Sequence, residues 1–166
     1  MTSDQRRELV EHLRRTPERV ASLIAALPPA ALGRRPAPGA FSGREHVHHL
    51  RDLEVEGFAE RLRRLLREEG PFLPDLDGAR LARERRYNEH PHEAALAELR
   101  RVRASCAAEL ERLGEAEWRR SGTLETVGPV TVERLVELWW SHDRGHLDEL
   151  EVLASSPTGG EESSWI

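Results

Sequence analysis

The chain has 166 residues, enough for one domain that buries a core without disulfides or a structural metal. Charged residues make up 33% and hydrophobic residues 38%, with 5% aromatic, a balance that fits amphipathic helices with wide solvated faces and argues against a sheet buried on both sides. All 25 basic residues are arginines, interleaved with 30 acidic ones for a net charge of −5; this excludes a basic stripe for nucleic acid, and the single Cys106 excludes an internal disulfide framework.

In chain order, the first helix is expected from Asp4 to Leu27, with an apolar stripe through Leu9, Val10, Leu13, Val20, Leu23, Ile24 and Leu27. Thr16 suits an N-cap and Pro17 a first helical position, so a kink or restart is expected there; Pro28-Pro29 ends the helix. Residues Ala30 to Ala40 read as a connection with one short helical turn. Ser42-Gly43-Arg44-Glu45 is a capping box that opens a second helix, expected to run to Glu69 before Gly70-Pro71.

From Phe72 to His92 the pattern gives an acidic loop, a helical stretch around Ala79 to Arg86, and a break at Asn88 to Pro91. A third helix is expected over 92 to 113, its buried stripe formed by Leu96, Leu99, Val102, Cys106, Leu110 and Leu113. Cys106 inside that stripe reads as a small core residue. Ser121 to Val130 suggests a hairpin or extended loop, and Thr131 caps a last helix from Val132 to Leu153. A single domain over 1–154 followed by a flexible tail, 155–166, is the expected organisation. Four amphipathic helices joined by mostly short connections point to an all-α, up-and-down four-helix bundle, with antiparallel helices. No apolar run of about 18 residues offers a membrane span, and the charged N-terminus carries no signal-peptide core; a cytoplasmic protein without membrane or nucleic-acid partners is expected.

Eight histidines carry the remaining signal. His142 and His146 stand four residues apart on the last helix, so both imidazoles share a face and can meet one ion at about 2.0 to 2.1 Å. The pair alone fits two ordinary helix histidines better than a metal site. The second helix offers His46, His48 and His49; on a wheel of about 100° per residue, His46 lies squarely on the apolar face and His49 at its border, so periodicity does not select His49. Trp139 points inward and Trp140 toward the flank, where homodimer packing would use it. Asp52, Glu54, Asp143 and Asp148 read as surface charges first and as supports for a site second.

Phe41-Ser42-Gly43-Arg44-Glu45-His46-Val47-His48-His49-Leu50-Arg51-Asp52-Leu53-Glu54 and His142-Asp143-Arg144-Gly145-His146-Leu147 together resemble the two signatures of the DinB/YfiT-like metalloenzymes. The resemblance spans Thr16 to Leu150 and departs at Phe41, where the family usually has tryptophan: an aromatic plug is kept and its N–H donor lost. It implies the DinB/YfiT-like four-helix bundle, and a divalent metal, zinc or nickel, on His49, His142 and His146. Thr16 to Arg19 and Arg34 to Gly39 look like the subgroup that acts with low-molecular-weight thiols. The implied function is metal-dependent transfer of a small thiol (bacillithiol, mycothiol or glutathione type) onto an electrophile in detoxification or stress response. A non-catalytic metal- or ligand-binding bundle is the alternative.

Overall fold

The computed structural model describes residues 1–155; the rest of the expected tail lies outside the described residues. The helices are α1 (Ser3–Ala26), α2 (Gly43–Asp52), which continues through a π turn (Leu53–Phe58) into α3 (Ala59–Arg67), α4 (Gly78–Glu84), α5 (Glu93–Leu110), α6 (Glu115–Trp118) and α7 (Val132–Ser155). Strands β1 (Phe72–Leu73), β2 (Ser121–Leu124) and β3 (Gly128–Thr131) form a small sheet in which β2 pairs parallel with β1 and antiparallel with β3. The caps fall where side chains supply them. Ser42 accepts from the Glu45 N–H while Glu45 reaches back to the Ser42 N–H, and Thr131 accepts from the Arg134 N–H at 3.1 Å.

Three expectations are corrected. Helix α1 runs unbroken through Pro17, and Thr16 caps nothing; its hydroxyl donates back to the His12 carbonyl at 3.2 Å. The second long helix is interrupted by the π turn. One extra residue in that turn rotates everything downstream by about 100°, which returns Phe58, Leu62 and Leu65 to the face that carries His46, Leu50 and Leu53.

The third correction concerns direction within the four-helix bundle. Ion pairs and ring contacts between α1 and α7 rise together in number, from Arg6–Glu133 through His12–Trp140 to Arg19–Glu151, so these helices are parallel. Arg51–Glu98 and Arg103–Glu54 make α2 and α5 parallel too. Antiparallel neighbours are α1 with α5, through Arg14–Glu111 and Arg100–Glu18, and the α2–α3 helix with α7, through His46–His146 and Phe58–Trp139. The order is up, down, down, up. The reason is the 68–92 connection, long enough to travel the length of the bundle and carrying β1 and α4 on the way.

The core divides into two apolar clusters. One contains Val10, Leu13, Phe58, Leu62, Leu110, Leu135 and Trp139; the other contains Val20, Ile24, Val47, Leu50, Leu99, Leu147 and Leu150. Between them, at matching heights on three of the helices, lies a buried polar layer of Glu54, Arg103 and Asp143. Arg103 donates to both Glu54 oxygens at 2.7 to 2.9 Å, to Asp143 Oδ2 at 2.5 Å and to the Leu13 carbonyl at 2.8 Å, while Trp139 Nε1 donates to Glu54 at 3.1 Å. Pro17 explains the fourth of these partners. Lacking an N–H, it leaves the Leu13 carbonyl one helical turn back without its usual donor, and Arg103 takes that place.

Candidate metal centre

The histidines gather just beyond the polar layer. Helix α2 presents His46 and His49 to α7, where the four-residue spacing aims His142 and His146 at them. Ligand-capable atoms of His49, His142 and His146 all lie within 4.8 Å of one another. His49 Nε2 and His142 Nε2 stand 3.1 Å apart. Two nitrogens bound tetrahedrally to one ion at about 2.0 to 2.1 Å would be roughly 3.3 Å apart, so the spacing fits a shared cation.

Without an ion, the pair does not close. The Nδ1 atoms of His49 and His142 are buried and have no hydrogen-bond partner; Asp143 Oδ1 is 3.8 Å from His142 Nδ1, beyond hydrogen-bond reach. If both rings carry their proton on Nδ1, two lone pairs face each other across 3.1 Å; if one donates from Nε2, its Nδ1 lone pair is stranded. A cation between the Nε2 atoms removes that opposition.

His146 is oriented by a carboxylate. Glu149 Oε2 lies 3.0 Å from His146 Nδ1 and accepts its proton, which leaves Nε2 as the free lone pair, the arrangement common to metal-binding imidazoles. His46 Nδ1 is 3.2 Å from the same His146 nitrogen, and His46, His146 and Glu149 form a second close donor group. Thus the structure brings together all three expected residues and adds His46, which the wheel favoured: both α2 histidines are buried, His46 at 1% and His49 at 7% exposure. Burial sets the charge state. It lowers His46 to about 4, and burial together with the neighbouring imidazoles lowers His49 to about 3 and His146 to about 2, so all three are neutral lone-pair donors at pH 7.

Phe41 lies over the group, its ring centroid 5.0 Å from His49, 5.6 Å from His46 and 6.3 Å from His146. Gly78, the first residue of α4, closes the other side of His49; a Cβ there would stand 2.3 Å from Cε1 and 2.7 Å from Nδ1. His48 turns away from the group and stacks on Tyr87, whose hydroxyl donates to Asp52 at 2.5 Å.

The surface reading of the acids is corrected for three of the four. Asp52, Glu54 and Asp143 are each 1% exposed, while Asp148 is exposed as expected. Burial raises the Glu54 carboxyl in spite of Arg103. For Asp143 burial pushes up, but Arg103 and His142 more than offset it and hold the carboxyl below its ordinary range. The sequence signal that was missed is Arg103, an arginine spaced into the stripe between Leu99 and Cys106. Cys106 is core as expected, its thiol pushed up to about 12 by burial and by Glu54. Trp139 is fully buried and Trp140 stacks on His12 at 4.7 Å. No described helix is long and apolar enough to cross a membrane.

Comparison with known proteins agrees with this architecture. The model of the DinB superfamily matches residues 12–150. Among solved structures, YfiT from Bacillus subtilis, described as "a probable metal-dependent hydrolase with an unusual four-helix bundle topology", superposes with a TM-score of 0.86 at 20% identity, covering 93% of this chain and 88% of that one. No curated protein matches the sequence.

Proposed function

The chain belongs to the DinB superfamily, and from that premise we propose that it is a metal-dependent transferase that holds one divalent cation on His49, His142 and His146 and moves a low-molecular-weight thiol onto an electrophile. The observation that carries the reading is the convergence of the His49, His142 and His146 imidazoles from two facing helices, His49 buried and the other two partly buried, with a His49–His142 pair in which every neutral tautomer leaves a buried ring nitrogen unsatisfied. Three nitrogen donors match a catalytic rather than a structural site and suit zinc or nickel; a cation so held supplies the acidity that ionises a thiol or water near neutral pH.

The chain's own groups do the rest. Glu149 keeps the His146 proton on Nδ1, Gly78 and Phe41 fix the His49 ring between them, and Phe41 also packs against the His146 ring. The polar layer behind the triad carries two carboxylates against one guanidinium, a surplus of negative charge that favours a cation in front of it. Hydrolysis is the second reading, favoured by the description of the Bacillus subtilis structure; the same donors serve it with water in place of the thiol.

The test begins with metal analysis of untagged protein, where one zinc or nickel per chain is expected. Loaded protein is then offered a panel of small thiols with a generic electrophile. Loss of thiol that stops on chelation and returns with metal supports transfer. Electrophile or ester consumed at the same rate without thiol supports hydrolysis instead. A metal-free protein, or thiol transfer that survives chelation, overturns the proposal. His146→Ala should weaken metal binding by about 100-fold or more while the helical circular dichroism is unchanged, since the bundle rests on apolar packing.

A further inference from the structure

Beside the triad lies a space that the metal reading does not use. A cavity of about 180 Å³ opens between the segment around Pro36 to Phe41 and the end of α7, with Pro36, Ala40, Phe41, His46, Glu149 and Leu153 among its walls. A void of roughly 150 Å³ accommodates a benzene-sized molecule, so this one has room for a short aliphatic body.

Its polarity is one-sided. Among the described residues, Glu149 is the one formally charged side chain on the wall, and no arginine lines it in a chain that has 25 basic residues. Glu149 Oε2 is committed to His146 Nδ1 at 3.0 Å and lies 3.7 Å from His46 Nε2, whereas Oε1 is committed to neither ring. Phe41 adds an aromatic wall, and Pro36, Ala40 and Leu153 add apolar ones. A carboxylate that is 61% exposed at the mouth of a cavity with aromatic and apolar walls is a setting that attracts an ammonium group and repels a carboxylate or phosphate.

We propose that this cavity binds a small primary ammonium compound with a short aliphatic body, Glu149 serving as its counter-ion and Phe41 as its aromatic wall. The site goes beyond the metal-dependent reaction and does not require it. Where that reaction also holds, an aminothiol seated here would have its ammonium beside the triad, because its counter-ion Glu149 also holds His146 Nδ1.

The test uses the full chain in the presence of a chelator, so that no ion occupies His46, His146 and Glu149 and no thiol is needed. Propylammonium, propanol and propionate, three probes of similar length, are titrated while amide chemical shifts are followed. Saturable shifts are expected at Ala40, Phe41 and Leu153, with propylammonium preferred over propanol by about fivefold and propionate not binding. In Glu149→Gln, which keeps an acceptor for His146 and removes the charge, the preference should fall to within about twofold. Ala40→Trp, checked for helix content, should fill the space and abolish the shifts. Propionate binding as well as propylammonium, a preference that survives Glu149→Gln, shifts that persist in Ala40→Trp, or no saturable shift at all would each overturn the proposal. None of these outcomes depends on whether the protein holds metal or transfers a thiol.

Discussion

His49 is held from three sides: by His142 through the 3.1 Å nitrogen pair, by the Phe41 ring, and by the bare Cα of Gly78. Gly78 is needed for close approach rather than for a turn, and any Cβ there must push the imidazole aside because contact at 2.3 Å is not tolerated. Gly78→Ala is therefore expected to lower zinc affinity by about tenfold or more with unchanged helix content, measured by competition with a chromogenic chelator. Wild-type affinity in that variant would show that His49 is not a ligand. Cys106 gives a contrasting expectation at the same scale: with its thiol raised to about 12, it should resist alkylation at pH 8 until the protein is denatured. The sequence revealed His142 and His146 through their spacing and His49 only through family resemblance, since on the wheel His46 was better placed. The structure shows why the wheel could not choose: the α2 helix is covered by α7 on one side and by α4 and Tyr87 on the other, so border positions are buried as fully as central ones.

Among the elements, capped helices were the most legible because the caps are local chemistry: Ser42 with Glu45, Thr131, and the Pro28-Pro29 stop are all found in place. Pro17 was misread for a reason that is not local. Proline inside a helix costs about 3 kcal/mol through its lost hydrogen bond and its clash, and a kink is the usual response; here α1 continues because Arg103, 86 positions later in the chain, supplies the missing donor to Leu13. The π turn was invisible for a similar reason, since its extra residue is defined by what Glu54 and Phe58 must face on α5 and α7. A double-mutant cycle checks the first link. Arg103→Met should destabilise by about 3 to 5 kcal/mol, because it strands two buried carboxylates. In a Pro17→Ala background the Leu13 carbonyl regains a backbone donor, so the same change should cost about 1 kcal/mol less. Strict additivity in urea unfolding would mean that Arg103 does not replace the proline's missing N–H.

The whole molecule places its polar groups along one axis: an apolar cluster, the Arg103 layer, the histidines, and a second apolar cluster that flanks them. The up-down-down-up order serves this arrangement. By running antiparallel to α7, α2 sets His46 against His146 and His49 against His142, and the 68–92 crossover carries Gly78 back to the histidine end. Concentrating neutral histidines there has a consequence for stability. In the folded, metal-free protein His46, His49 and His146 take up protons only near pH 4, 3 and 2, whereas the unfolded chain takes them up near the ordinary value of 6.5. Between pH 6.5 and about 4 the unfolded state thus binds more protons, so acid favours unfolding; the stability present above pH 6.5 is lost as pH falls, at up to about 1.4 kcal/mol per pH unit for each histidine. Glu54 and Glu149, both raised by burial, oppose this trend as they protonate, which makes the upper part of the window the clearest place to look. The urea midpoint of chelator-treated protein is expected to fall steadily from pH 7 to pH 5. His46→Leu should make that fall shallower by about a third, because one of the three proton-binding groups is gone. Zinc should raise the midpoint by a similar amount at pH 7 and at pH 5, since His49 and His146 are already neutral in the folded protein across this range. A midpoint that is flat over this range, with or without zinc, would mean that the three imidazoles are not buried as neutral bases and that the bundle does not hold them for a cation.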